Sequence, residues 1–79
     1  MRLDKYLKVS RLIKRRTVAA EACTAGKVSV NGKVAKASCD VKVGDTISLT
    51  FGEKVVSVQV VSVLEHVRKE DAEAMYKPV

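Results

Sequence analysis

The 79-residue sequence has no tryptophan, three other aromatic residues (Tyr6, Phe51 and Tyr76), two cysteines, one histidine and one proline. Each scarcity excludes something. Tyr6 and Phe51 fall in register with apolar neighbours and are expected in the core, which leaves too few exposed rings for a protein that reads unpaired bases by stacking on them. Two cysteines make no disulfide framework, and Cys23, Cys39 and His66 do not have zinc spacing. Both thiols are expected to be reduced, Cys23 on a helix and Cys39 in a loop, with His66 solvated and no metal bound. The longest apolar-rich stretch, residues 55–64, is broken by Ser57, Gln59 and Ser62 and has about half the length of a membrane helix. The charged start (Arg2, Asp4, Lys5) has no apolar run and no small-residue cleavage site, so a cytoplasmic protein without membrane contact is expected. No nucleophile–base pair, phosphate-binding glycine loop or nucleotide fingerprint is present. A chain that buries only ~60–65% of its unfolded surface also has little core to spare for a substrate cleft. One small non-enzymatic domain without a cofactor is the expectation.

What is abundant is positive charge in one place. Fifteen Lys and Arg stand against nine Asp and Glu, for a net charge of +6 and a pI near 9.6. Residues 1–36 hold ten of the cations and only Asp4 and Glu21 as acids, a net of +8, whereas residues 37–79 carry a net of −2. With 47% hydrophobic residues the chain is globular, so the asymmetry describes a face that meets a polyanion.

Leu3, Tyr6 and Leu7 recur at helical spacing with Arg2, Lys5 and Lys8 on the other side, which predicts a short amphipathic helix. A turn over 10–14 carries the apolar anchors Leu12 and Ile13. A second helix is predicted from about Arg16 to Ala25, burying Val18, Ala19, Ala22 and Cys23, with Gly26 just past its end. The remainder reads as β. Val28 and Val30 precede Asn31-Gly32, a strong hairpin-turn signal. Val41 and Val43 lead into a turn at Gly44-Asp45. Ile47, Leu49 and Phe51 alternate with polar residues before Gly52-Glu53, and a last strand runs from Lys54 to Val63. The doubled Val60-Val61 shifts its apolar face and suggests a bulge or a change of partner. Residues 68–76 favour a helix with too short an apolar stripe to be secure, and Pro78 ends it.

Lys14-Arg15-Arg16 stand at the start of the second helix, where the helix dipole disfavours cations and welcomes an anion. A phosphate there meets backbone N–H groups and two guanidinium forks. Shape-directed contacts to phosphate and sugar of a structured RNA fit this composition best. Asp4, the one acid among the N-terminal cations, is expected to pair within the first helix and orient an arginine, having no partner for acid–base work.

Residues 2–7 (RLDKYL), Lys14-Arg15-Arg16, residues 25–32 (AGKVSVNG), Ser38 and Val43-Gly44-Asp45 together resemble the S4-type RNA-binding domain over residues 1 to about 62. The resemblance implies an α+β fold, two short helices packed on a small, bent antiparallel or mixed β-sheet (the αL RNA-binding motif). Residues 1–62 would be the RNA-binding domain, and 63–79 an extension of the last strand with a short helical or disordered tail. The likeness is strongest to stand-alone bacterial members that bind large ribosomal subunits still carrying peptidyl-tRNA. It implies a monomeric, non-catalytic, ribosome-associated clamp contacting 23S rRNA and P-site tRNA while a tRNA-recruiting quality-control factor directs C-terminal alanine tailing. By position, Arg2 and Arg16 would face RNA, with Lys5, Lys8, Arg11, Lys14 and Arg15 around them and Lys27, Lys33 and Lys36 on the hairpin side. The rival expectations are a regulator of another structured RNA or of free tRNA, and a protein adaptor that uses the Val-rich strand 54–63 as an exposed edge.

Overall fold

A computed structural model describes residues 1–64 and 67–79; His66 lies outside the described residues. The apolar spacing of Leu3, Tyr6 and Leu7 produces helix α1 (Leu3–Val9), and all three are fully buried. Helix α2 (Arg16–Thr24) packs against it through Ala19 and Cys23, which are four residues apart on one stripe. Val18, expected inside, is 45% exposed, because a nine-residue helix lying on one neighbour buries a narrow stripe and Val18 is a step of ~100° off it. Past the α2 end, Gly26 takes φ +76° and donates to the Cys23 carbonyl, and the Lys27 N–H closes on Ala22 O, each at 3.0 Å. That pair of bonds is the glycine-dependent stop expected from the sequence.

Five strands follow: β1 (Val28–Val30), β2 (Lys33–Val34), β3 (Thr46–Phe51), β4 (Lys54–Val60) and β5 (Tyr76–Pro78). They form one open sheet in the order β2-β1-β3-β4-β5, antiparallel throughout, so no parallel pair mixes into it. Asn31 and Gly32, at φ +53° and +84°, make the two-residue turn that sets Val30 opposite Lys33. Asn31 also ties the hairpin to the rest of the sheet. Its Oδ1 accepts from the Thr46 N–H at 2.9 Å and its Nδ2 donates to Asp45 Oδ1 at 3.1 Å.

Ile47 and Leu49 on β3 and Val58 and Val60 on β4 face the helices and are buried. Phe51, expected in the core by the same alternation, is 47% exposed, since it lines an open groove opposite Val18 and Ala22 of α2 instead of closing on the core. The doubled valine marks a bulge-like irregularity at the end of β4, where the Val61 and Ser62 N–H groups both donate to Met75 O, at 2.7 and 3.2 Å.

The stretch 54–63 is only in part the free edge that the adaptor reading needs, because Val58 and Gln59 are paired with β3 on one side and β5 on the other, whereas Lys54, Val55 and Val56 pair with β3 alone. β5 arrives through a 3-10 helix, Lys69–Met75, whose Ala72 and Met75 are buried. The Tyr6 hydroxyl donates to Met75 O at 2.7 Å, joining the first helix to the end of the chain. Burial, with the charge of Tyr76 adding to it, pushes that phenol up to about 12, so it stays a donor at every ordinary pH. Among the described residues, no helix is long and apolar enough to cross a membrane.

Candidate nucleic-acid interface

The ten candidate cations fall on α1, on α2 and in the β1–β2 region, and the structure groups them unequally. Arg2 occupies the position before α1 and Arg16 opens α2, and both meet the carboxylate of Asp4 in the first turn of α1. Arg2 grips it with two prongs, Nε to Oδ1 at 3.1 Å and Nη2 to Oδ2 at 3.3 Å. Arg16 Nε stands 3.5 Å from Oδ2, and the Lys5 backbone N–H donates to Oδ1 at 2.8 Å. Asp4 is buried, whereas the Arg2 and Arg16 side chains remain 54% and 48% exposed. A guanidinium carries five N–H donors, so each arginine keeps donors that Asp4 does not use.

The acid thus serves as a fixed post that sets two forks from two different elements side by side. Burial alone raises the Asp4 pKa. The hydrogen bonds from Arg2, the Lys5 amide and Arg16, together with the Arg16 charge, outweigh it and hold the carboxyl below its ordinary value. The post itself is braced by the stretch 37–41. Ala37 O accepts from Asp4 N–H at 3.2 Å, Cys39 O accepts from Leu3 N–H at 2.8 Å, and the Met1 ammonium lies 2.8 Å from Asp40 Oδ1. Spacing along the chain gave no sign of that brace.

Lys5 and Lys8 share the polar side of α1, with Lys8 in its last turn. Lys14 and Arg15 are exposed ahead of α2. Arg15 holds its N-cap position, and no side chain caps the first amides. The helix-start arrangement of cations around uncapped N–H groups is therefore present as expected. Lys36 and Arg2 line one cleft. Lys27 lines a different groove, between α2 and the β3–β4 turn, so the structure parts two of the hairpin-side candidates. Lys33 is exposed on β2 at the edge of the sheet. Among the described residues, no group of three or more His, Cys, Asp or Glu could hold a metal ion. Burial pushes the Cys23 thiol up, with the charges of Asp4 and Cys39 adding to the effect.

Arg11 is placed at a cost. It lies just past α1 with φ +62°, the left-handed position that glycine normally fills, and its N–H closes on Lys8 O at 3.1 Å. A non-glycine residue there costs about 1 kcal/mol. Arg11→Gly is therefore expected to raise stability in thermal melts by up to that amount while weakening RNA binding. A variant that melts lower shows that the Arg11 side chain supports the fold.

An open antiparallel sheet carrying two helices, with a buried acid clamping two arginines where the helices begin, defines the class: the chain belongs to the S4 domain family, matched over residues 1–47. All ten candidate cations lie inside that segment. Over almost its whole length the chain is similar to proteins named RQC P-site tRNA stabilizing factor. It is 57% identical to the one from Halalkalibacterium halodurans over 77 residues, 98% of this chain and 88% of that one. It is also 57% identical to the Bacillus subtilis protein of that name over 76 residues, 96% and 88% of the two chains. Among solved structures, the trimeric heat shock protein 15 of Vibrio cholerae superposes with a TM-score of 0.92 at 31% identity, covering 100% of this chain and 81% of that one.

Proposed function

We propose that this chain is a non-catalytic RNA-binding factor of ribosome-associated quality control that steadies P-site tRNA on the large ribosomal subunit. The observation that carries the reading is the buried Asp4 holding Arg2 and Arg16 as adjacent, half-exposed forks, in a chain 57% identical to factors named for P-site tRNA stabilization. Two neighbouring guanidiniums fit two phosphates of one RNA strand or of two strands brought together. Lys5, Lys8, Arg11, Lys14 and Arg15 extend the positive field around them, and Lys33, Lys36 and Lys27 extend it toward the hairpin. In this role the protein bridges 23S rRNA and peptidyl-tRNA as a monomer in the cytoplasm. It keeps the tRNA in place while a separate tRNA-recruiting factor supports alanine tailing of the nascent chain. The task is one of holding, for which phosphate contacts suffice and no reactive group is required.

The test is sedimentation through a sucrose gradient followed by a salt series. The protein is expected to travel with large subunits. With about five to seven phosphates neutralised, log affinity should fall against log salt with a slope of about −4 to −6. Arg16→Ala should weaken binding and flatten the slope by about one, with a stability change under about 1 kcal/mol for a half-exposed ion pair. A slope near zero overturns the electrostatic mechanism, and unfolding of the variant makes Arg16 structural. Recovery with free tRNA or another RNA in place of large subunits moves the function there.

A further inference from the structure

Arg2 belongs to two places at once. Besides gripping Asp4, it lines a surface cleft of about 600 Å³ between the end of α2, the β1–β2 hairpin and residues 35–38. That volume lies within the ~300–1,000 Å³ of small-ligand sites. The cleft is walled by aliphatic carbon and rimmed by cations. Val34, on the two-residue edge strand β2, is 68% exposed, Ala37 lines the cleft with it, Cys23 and Ala35 are buried residues of the lining, and Thr24 and Ser38 add hydroxyls. Arg2 and Lys36 supply the charge.

Both walls are fixed by backbone bonds. Ala35 N–H bonds to Val28 O at 3.0 Å, and Ala37 O holds Asp4 N–H. Gly26, which ends α2, is also part of the lining.

We infer that this cleft receives one unpaired nucleotide of the bound RNA, its base against the aliphatic lining of Val34 and Ala37 and its phosphates on Arg2 and Lys36. The inference rests on the RNA reading above. A base has two apolar faces and a polar edge, and it leaves a helix only when extruded or already unpaired. An aliphatic slot opening directly beside a phosphate-binding arginine suits that shape. A partner protein's apolar side chain would gain nothing from the cationic rim.

The test uses two RNA hairpins identical except for a single bulged nucleotide, with binding read by fluorescence anisotropy. The wild-type protein is expected to bind the bulged hairpin on the order of tenfold more tightly, the effect of burying one base. Val34→Asn, at an exposed position, should abolish the preference while binding to the paired hairpin stays within about twofold. Arg2→Ala should weaken both. Equal salt-dependent binding of the two hairpins by the wild-type protein overturns the nucleotide site alone, as does a preference that survives Val34→Asn. Failure of either hairpin to bind at low salt overturns the RNA reading and this inference with it.

Discussion

A chain ending at Arg68 is expected to be largely unfolded at 25 °C, although it keeps all of the matched segment 1–47 and every candidate cation. Removing residues 69–79 strips the fully buried Ala72 and Met75 from the core and takes β5 off Val58, Gln59 and Val60. It also leaves the buried Tyr6 hydroxyl without its acceptor, and the Val61 and Ser62 N–H groups without Met75 O. Loss of the Met75 side chain alone is worth about 2–5 kcal/mol, and an unpaired buried hydroxyl adds about 1–3 kcal/mol. A domain of this length has a total stability of only about 4–12 kcal/mol. Circular dichroism melts of the truncated chain and of Met75→Ala check this. Met75→Ala should fold with a clearly lower midpoint, and Tyr6→Phe should show the smaller hydroxyl part. A truncated chain that melts like the full one shows that the terminal segment only docks, and that the boundary drawn at residue 62 separates a self-sufficient domain from an accessory.

Asp4→Ala is expected to weaken RNA binding about three- to tenfold, a loss of about 0.7–1.4 kcal/mol, even though it removes a negative charge from the basic face. A purely Coulombic account gives the opposite sign, since deleting an acid strengthens the field felt by phosphate. The difference arises because Asp4 fixes the orientation of Arg2 and Arg16, and freed side chains must be ordered again on every encounter. The substitution should also cost about 1–3 kcal/mol of stability, because the acid accepts charge-assisted hydrogen bonds at a buried site. Double-mutant cycles with Arg2→Ala and Arg16→Ala separate the two effects, as positioning predicts strong non-additivity in binding.

The stability part has a defined pH dependence. Asp4 is held below its ordinary value of 3.8 in the folded state, so its contribution is fully present above that value and is lost as pH falls through the lower folded one. The melting difference between wild type and Asp4→Ala should therefore be constant near neutrality and shrink in acid. Stronger RNA binding by Asp4→Ala, or a difference that persists at the lowest pH, contradicts the positioning role.

Local patterns foretold the parts of the molecule whose causes are local. The Leu3, Tyr6, Leu7 spacing places α1, Gly26 ends α2, Asn31-Gly32 turns the hairpin, and alternation over Ile47 and Leu49 sets the face of β3. The misreadings share one origin. Phe51 and Val18 continue apolar patterns but line an open groove between α2 and the β3–β4 turn, and a period says which side a residue faces but not whether anything covers it. The fate of strand 54–63 was illegible for a related reason. A β5 of three residues ending at Pro78 carries no alternation of its own and is recruited by pairing with Val58–Val60.

The sequence by itself determined a small α+β chain with its positive charge concentrated in residues 1–36, because composition and short-range periodicity are properties of the chain. Only the tertiary structure decided which of ten cations act as a pair. Arg2 and Arg16 are fourteen positions apart, and they meet on Asp4 because α1 and α2 pack together. Only the fold, likewise, set Arg2 and Lys36 on one cleft and Lys27 on another. Charge is additive along a sequence, whereas the geometry that aims it at a phosphate depends on contacts between residues the sequence keeps apart.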